Sequence, residues 1–245
     1  MSGPAPTRRW IVAAGLAQAG CATGAGSGGD ARARAVGRLI HRDDFRSGLT
    51  NWRVELERGG TVEAAGGFMD IDVPAGATVW FRPELVGAVL IEYVAVAIAE
   101  DGPNDRVSDL NAFWMATDAR SPANLLDRPR SGAFTDYDRL RAYYVGQGGN
   151  ANTTTRLRRY VGEPGNRPLL SEHDLASPDV LLRPNVRQTI RLVAAGRRIE
   201  YWRDGVRLFR LDDDRPYTRG WFGLRTTFSH LRIANLRIYQ LIEHP

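Results

Sequence analysis

Read with a period of two, Thr154–Tyr160 sets Arg156, Arg158 and Tyr160 on one side of an extended segment. Gly220–Ser229 follows the same rule: Trp221, Arg225 and Thr227 share a side, Phe222, Leu224 and Phe228 take the other, and His230 follows directly. Asn111 and Trp114 lie near one another in Leu110–Thr117, and Tyr143 sits in Ala142–Val145. These residue types are the ones that β-elimination from a uronate requires. A cation or amide must neutralise the carboxylate so that the proton on the adjacent carbon becomes acidic. A tyrosine or histidine must take that proton, and a similar group must assist the leaving oxygen. In that chemistry Arg156 neutralises the carboxylate and Tyr143, Tyr160 or His230 handles protons. Trp80, Trp114 and Arg225 seat sugar rings, and Arg82, Glu92, Asn111, Asn150 and Asn152 complete the substrate-binding set. A solvated, arginine-rich sheet face with ordinary surface aromatics accounts for the same pattern equally well, and a non-catalytic binding module needs only its rings and forks.

Other chemistries find less. Glycoside hydrolysis needs two carboxylates about 5–5.5 Å or roughly 6.5–9.5 Å apart. Glu92 has no second acid two or four residues away, and Asp70 and Asp72 alternate in a segment that reads as an exposed edge. Hydrolysis on the same fold stays open as an alternative. Gln147–Thr153 carries two glycines, two asparagines and a threonine. It reads as a turn, and as a cleft rim with a dense amide and hydroxyl edge. His41, His173, His230 and His244 are scattered without zinc-site spacing. No cofactor is expected, apart from a structural calcium ion on Asp70 or on Asp212–Asp214, a run that reads more simply as a solvated turn.

These residues are positioned by strands. Met69, Ile71 and Val73 alternate with Asp70 and Asp72; Val79 and Phe81 point inward, Trp80 and Arg82 outward. Further strands are read at Leu110–Thr117, Ala142–Val145, Thr154–Tyr160, Arg187–Val193, Gly220–Phe228 and Leu231–Leu241. Ile199–Trp202 and Val206–Phe209 flank Asp204-Gly205, whose residue types fit a type I′ hairpin turn. Asp136–Arg141 is read as one turn of helix. Two polar loops interrupt the rhythm, Asp101–Asp109 and Thr117–Asp136, and the longer is expected to wall a polar cleft. Many short strands without an internal repeat predict an all-β fold, a two-sheet antiparallel jelly-roll sandwich.

The chain has 245 residues, 43% hydrophobic and 25% charged, which is enough to bury a core and excludes a disordered or collagenous chain. Its 33 basic residues are all arginine. Of the net charge of +5, two belong to Arg8 and Arg9, leaving +3 for the rest, too little to point to nucleic acid. Arg8-Arg9 before a short apolar run resembles a twin-arginine export signal, and Gln18-Ala19-Gly20-Cys21 resembles a bacterial lipobox with Gln where the pattern prefers Leu. The resemblance implies an exported, periplasmic or outer-membrane lipoprotein, anchored through Cys21 and otherwise free of the membrane. The expected organisation is an export signal over 1–21, a Gly/Ala/Ser-rich tether over 22–38, and one β-sandwich domain over 39–245. The oligomeric state is left open.

Three stretches carry a wider resemblance. They are Asp43-Asp44-Phe45 to Ala77-Thr78-Val79-Trp80-Phe81, Asp109–Asp118 with Tyr143–Arg156, and Tyr201-Trp202-Arg203-Asp204-Gly205 to Ile233-Ala234-Asn235-Leu236. Together they resemble concanavalin-like jelly-roll domains of secreted bacterial carbohydrate-active proteins. The middle one, Asp109–Asp118 with Tyr143–Arg156, looks more specifically like an uncharacterised family found beside pectin and rhamnogalacturonan utilisation genes. The resemblance implies an oligo- or polysaccharide partner, and the arginine-bearing sides imply an acidic one. The strand motifs of alginate-lyase-type jelly rolls are absent.

Overall fold

A computed structural model of the chain describes residues 37–242; the stretch expected to be an export signal, Cys21 and most of the expected tether lie outside them. Fourteen strands follow one another. They are β1 (Arg38–Asp43), β2 (Trp52–Leu56), β3 (Thr61–Ala65), β4 (Phe68–Phe81), β5 (Leu85–Val86), β6 (Val89–Ala97), β7 (Leu110–Asp118), β8 (Leu140–Gly148), β9 (Thr154–Val161), β10 (Asp174–Leu175), β11 (Gln188–Ala195), β12 (Arg198–Arg203), β13 (Val206–Asp212) and β14 (Arg219–Gln240). All pair antiparallel, in two layers. The front layer runs β10-β9-β8-β7, the first half of β14, the second half of β4, and β2. The back layer runs β3, the first half of β4, the second half of β14, then β6-β11-β12-β13, with β1 beside the end of β14. This is the two-sheet jelly-roll sandwich expected from the alternation.

One difference concerns β14, read above as two strands. It is continuous, and Phe228 marks a bend where the pairing with β4 slips between Thr227 and Ser229. Phe228 has φ 43 and is exposed beneath the Arg106 guanidinium, not in the core. Both long strands pass from one layer to the other here, so a single chain segment contributes to both sheets. Asp204 and Gly205, with φ 49 and 81, form the expected turn with two positive φ angles.

Period two makes the core. In β6, Val89, Ile91, Tyr93, Ala95 and Ala97 are buried while Leu90, Glu92, Val94 and Val96 are half-buried on the back. They meet Leu110, Ala112, Trp114, Tyr143, Val145, Leu157, Phe222 and Leu224 of the front layer. Each such large side chain contributes roughly 1.5–3 kcal/mol of transfer free energy. Polar side chains bridge the layers as well. Tyr201 and Gln147 are hydrogen-bonded to one another, and Gln147 Nε2 donates to Gln188 Oε1 at 2.8 Å.

The segment between β7 and β8 does not project as a loop. It folds back over the outer face of the front layer through two 3₁₀ turns, Leu125–Asp127 and Phe134–Tyr137. The second replaces the helical turn expected over Asp136–Arg141, because strand pairing resumes at Leu140. Leu125, Leu126 and Tyr137 form a second core there with Trp80, Phe113, Tyr144, Tyr160 and Trp221. Buried carboxylates tie the segment down. Glu55 accepts from Trp80 Nε1 (2.9 Å), Tyr137 Oη (2.8 Å) and Arg130 N (3.1 Å). Asp118 accepts from Arg120 Nη2 (2.7 Å) and Arg130 Nη2 (2.8 Å).

Candidate functional site

Beside that covering segment, the outer face of the front layer opens into a cleft of about 570 Å³. Strand register builds its floor. Thr78 stands opposite Arg225, Arg225 opposite Asn111, Asn111 opposite Gly146, and Gly146 opposite Arg156. From Arg225 to Arg156 this row crosses three interstrand steps, about 14 Å. A second row places Phe113 opposite Tyr144 and Tyr144 opposite Arg158. Tyr160 closes the floor at the end of β9; Phe134 of the covering segment and Arg167 of the β9–β10 connection form walls.

The four arginines differ in what they hold. Arg156 is engaged in a fork with Asp174, Nε at 2.7 Å and Nη2 at 3.1 Å. Arg167 is ion-paired to Asp138 and lies 4.2 Å from the Phe134 ring and 5.8 Å from that of Tyr160. Arg158 and Arg225 form no ion pair among the described residues. Arg158 donates to the Arg167 carbonyl, and burial lowers its guanidinium below the ordinary value. Arg225 is buried, with Nη1 donating to Thr78 Oγ1 (2.8 Å) and Gly132 O (2.9 Å) between the rings of Phe134 (4.8 Å) and Tyr137 (4.7 Å). Two carboxylates line the cleft. Asp109 is held by Ser108 Oγ (2.6 Å) and Arg106 (3.0 Å), and Glu57 Oε2 accepts from Gly76 N at 2.8 Å. With Asp109 neutralised by Arg106, the two unpaired guanidiniums outweigh Glu57, so the cleft carries excess positive charge.

Two residues of the cleft lining carry buried polar atoms without partners. The Tyr160 hydroxyl and Asn111 Oδ1 have none among the described residues. Burial pushes Tyr160 up to about 12 and raises Tyr144 well above its ordinary range, so both phenols are protonated at neutral pH.

Of the residues singled out from sequence, Arg156, Tyr160, Asn111, Asn150 and Arg225 therefore line one cleft. The others do not. Tyr143 and Trp114 lie in the core between the layers, where Tyr143 Oη donates to Asp213 Oδ2 at 2.7 Å. Trp114 shares no face with Asn111 because the two stand three residues apart in the regular part of β7, where side chains alternate; the bulge at Met115, φ 51, follows Trp114. Trp80 is on the expected face but sealed beneath Tyr137 and Phe113, stacked 5.7 Å from the latter. Arg82 is exposed outside the cleft. Glu92 is on the back, ion-paired to Arg191 at 2.7 Å. Asn152 clamps the backbone of Leu182. His230 is held between Asp105 Oδ1 (2.7 Å) and Asp70 Oδ2 (3.0 Å), away from the cleft.

The carboxylates considered for calcium are engaged too: Asp70 by His230 and Arg232, and Asp212, Asp213 and Asp214 by Arg210, Arg159 and Arg197. Among the described residues no cluster of three or more His, Cys, Asp or Glu side chains could hold a metal ion. Sequence reasoning passed over Tyr144, Arg167, Phe134 and Glu57. Tyr144 alone had a signal, since one residue of the Tyr143-Tyr144 pair must face outward.

The model of a family described as a domain of unknown function, DUF6250, matches residues 71–236. The chain belongs to that family. Its match takes in most of the cleft floor and the covering segment, leaving β1–β3 and Glu57 before it. A comparison of the sequence with curated proteins gives no match. Solved structures share the fold. A Bacillus subtilis protein of unknown function with a galectin-like fold is 17% identical, with TM-score 0.65, over 85% of this chain and 98% of its own. A Pyrococcus furiosus endo-beta-1,3-glucanase is 11% identical, with TM-score 0.56, over 85% and 96%. The carbohydrate-binding module CBM66 from Bacillus subtilis is 12% identical, with TM-score 0.53, over 78% and 97%.

Proposed function

We propose that this DUF6250 protein is a carbohydrate-active protein, and that its cleft binds an acidic oligosaccharide. The carrying observation is the pair of guanidiniums without carboxylate partners among the described residues, Arg158 and Arg225, on a floor that also carries a buried hydroxyl and amide oxygen unpartnered among them. Anions and sugar hydroxyls are the complements of those groups. Sharing a fold with a glucanase and a carbohydrate-binding module supports the saccharide half of the reading, as fold-level analogy. The resemblance of the Arg8-Arg9 segment to an export signal supports placement of the cleft where extracellular glycans, such as pectic chains, are met.

Cleavage by β-elimination is a second reading, favoured by the Tyr160 hydroxyl beside the arginines. That hydroxyl, kept protonated, fits the donor to a leaving oxygen. The base is harder to find, because Tyr143 and His230 lie elsewhere and burial keeps Tyr144 protonated. Recognition is therefore the better supported function.

Calorimetric titration with a panel of uronate oligosaccharides, alongside ultraviolet absorbance of an unsaturated uronate, separates the readings. Binding without absorbance supports a binding module. Absorbance that Tyr160→Phe abolishes while binding persists supports elimination. Absence of any binding across the panel refutes both.

A further inference from the structure

The floor of the cleft has a notch. Gly146 occupies the centre of the cross-strand row, and a Cβ there would stand 3.2 Å from the Tyr144 ring, 3.4 Å from its hydroxyl and 3.5 Å from Asn111 Oδ1. Gly146 is not among the glycines with positive φ, so its backbone does not require glycine; what the residue supplies is a gap in the row that a single methyl group would fill, pressing on the Tyr144 ring. That space is flanked by groups with unmet bonding capacity. Asn111 Oδ1 is a buried acceptor lacking a donor among the described residues.

Arg225 is the next residue in the row. The rings of Phe134 and Tyr137 cover its guanidinium faces, and Nη1 is engaged by Thr78 and Gly132. Its Nε and Nη2 make no hydrogen bond among the described residues. Those two atoms form one edge of the guanidinium, with two parallel N–H donors, the complement of two carboxylate oxygens. A sulfate ester would bring a third oxygen that this edge has no donor to meet.

Resting on the reading of the cleft as an acidic-glycan site, we propose that the Gly146 notch is the subsite for the charged sugar unit. The unit's carboxylate lies on the Nε/Nη2 edge of Arg225 and one of its hydroxyls donates to Asn111 Oδ1. The subsite thereby selects a uronate over a neutral or sulfated sugar, and Gly146, Asn111 and Arg225 determine specificity.

The test is calorimetry on the full chain with an oligouronate (galacturonate, mannuronate or glucuronate repeats), its carboxyl-reduced counterpart and a sulfated neutral oligosaccharide. The acid should bind at least ~10-fold tighter than either of the others, a difference of about 1.4 kcal/mol. Gly146→Ala, which fills the notch with a methyl group tight against the Tyr144 ring, should weaken the acid ~10-fold or more with only a small fall in Tm. Asn111→Ala, which removes the acceptor, should weaken it several-fold and serves if the alanine at 146 disturbs folding. Equal binding of the acid and its reduced form, or of wild type and both variants, overturns the subsite while leaving an acidic-glycan cleft in place. No binding by wild type to any probe instead refutes the reading of the cleft itself.

Discussion

Replacing Asp118 by Asn would strike the wall of the cleft without touching its floor. Asp118 has a fully buried carboxylate that receives Arg120 N (2.9 Å), Arg120 Nε (2.9 Å), Arg120 Nη2 (2.7 Å) and Arg130 Nη2 (2.8 Å). The Arg130 side chain is 2% exposed, and its other carboxylate, Glu55, is 3.9 Å away. Burial alone would raise the Asp118 pKa, but the hydrogen bonds from Arg120 and Arg130 outweigh it and bring the value from 3.8 to about 2. At about 1.36 kcal/mol per unit, ionisation of Asp118 stabilises the fold by about 2 kcal/mol at neutral pH. Removing one partner of a buried pair costs about 3–5 kcal/mol. The expected loss for Asp118→Asn at pH 7 is therefore about 2–4 kcal/mol, a large part of a typical ~5–15 kcal/mol.

Urea unfolding at pH 7 measures it directly, and a pH series supplies a second signature. The unfolded carboxyl takes up its proton near pH 4 and the folded one near pH 2. The wild type should thus lose this contribution as pH falls through that window, whereas the variant has none to lose. Because the segment carries Phe134 and Tyr137, the variant should also weaken oligosaccharide binding. A variant within ~0.5 kcal/mol of wild type, or one with the same acid dependence, would refute the view that this ion cluster holds the wall in place.

Three further outcomes are expected. His230 sits between Asp105 and Asp70; burial lowers its pKa, but the two hydrogen bonds and the charges of Asp70 and Asp72 outweigh it, and the net shift is upward. Its stabilisation is therefore complete below about pH 6.5 and lost as pH rises through the folded value, so Tm should fall as pH rises above about 6.5 in wild type and stay flatter in His230→Gln. Gly223→Ala places a Cβ 2.5 Å from the Trp80 ring and should cost about 1–3 kcal/mol in urea unfolding; a neutral effect would show that the ring has room to move. Glu57→Gln removes a carboxylate from the cleft lining and should tighten oligouronate binding by a few-fold in calorimetry, most at low salt; unchanged affinity would place the bound anion far from Glu57.

The sequence by itself determined the sandwich, because alternation of apolar and polar residues is a local property and a one-residue slip would turn every core side chain outward. It also determined which residues share a face of one strand, as with Arg156, Arg158 and Tyr160 on β9. Three matters were decided only in three dimensions. The first is which of a strand's two faces meets the opposite layer: Tyr143 and Tyr144 are equivalent as sequence, yet one is core and the other floor. The second is irregularity, since the bulge at Met115 and the bend at Phe228 shift every later side chain in phase, and neither is marked by glycine. The third is the fate of long-range charge. Arg156 finds Asp174, Glu92 finds Arg191 and His230 finds Asp105, while Arg158 and Arg225 find no carboxylate among the described residues. Ion pairing depends on distances of a few ångströms between residues far apart in the chain, so only the folded chain reveals which cations remain open to a ligand.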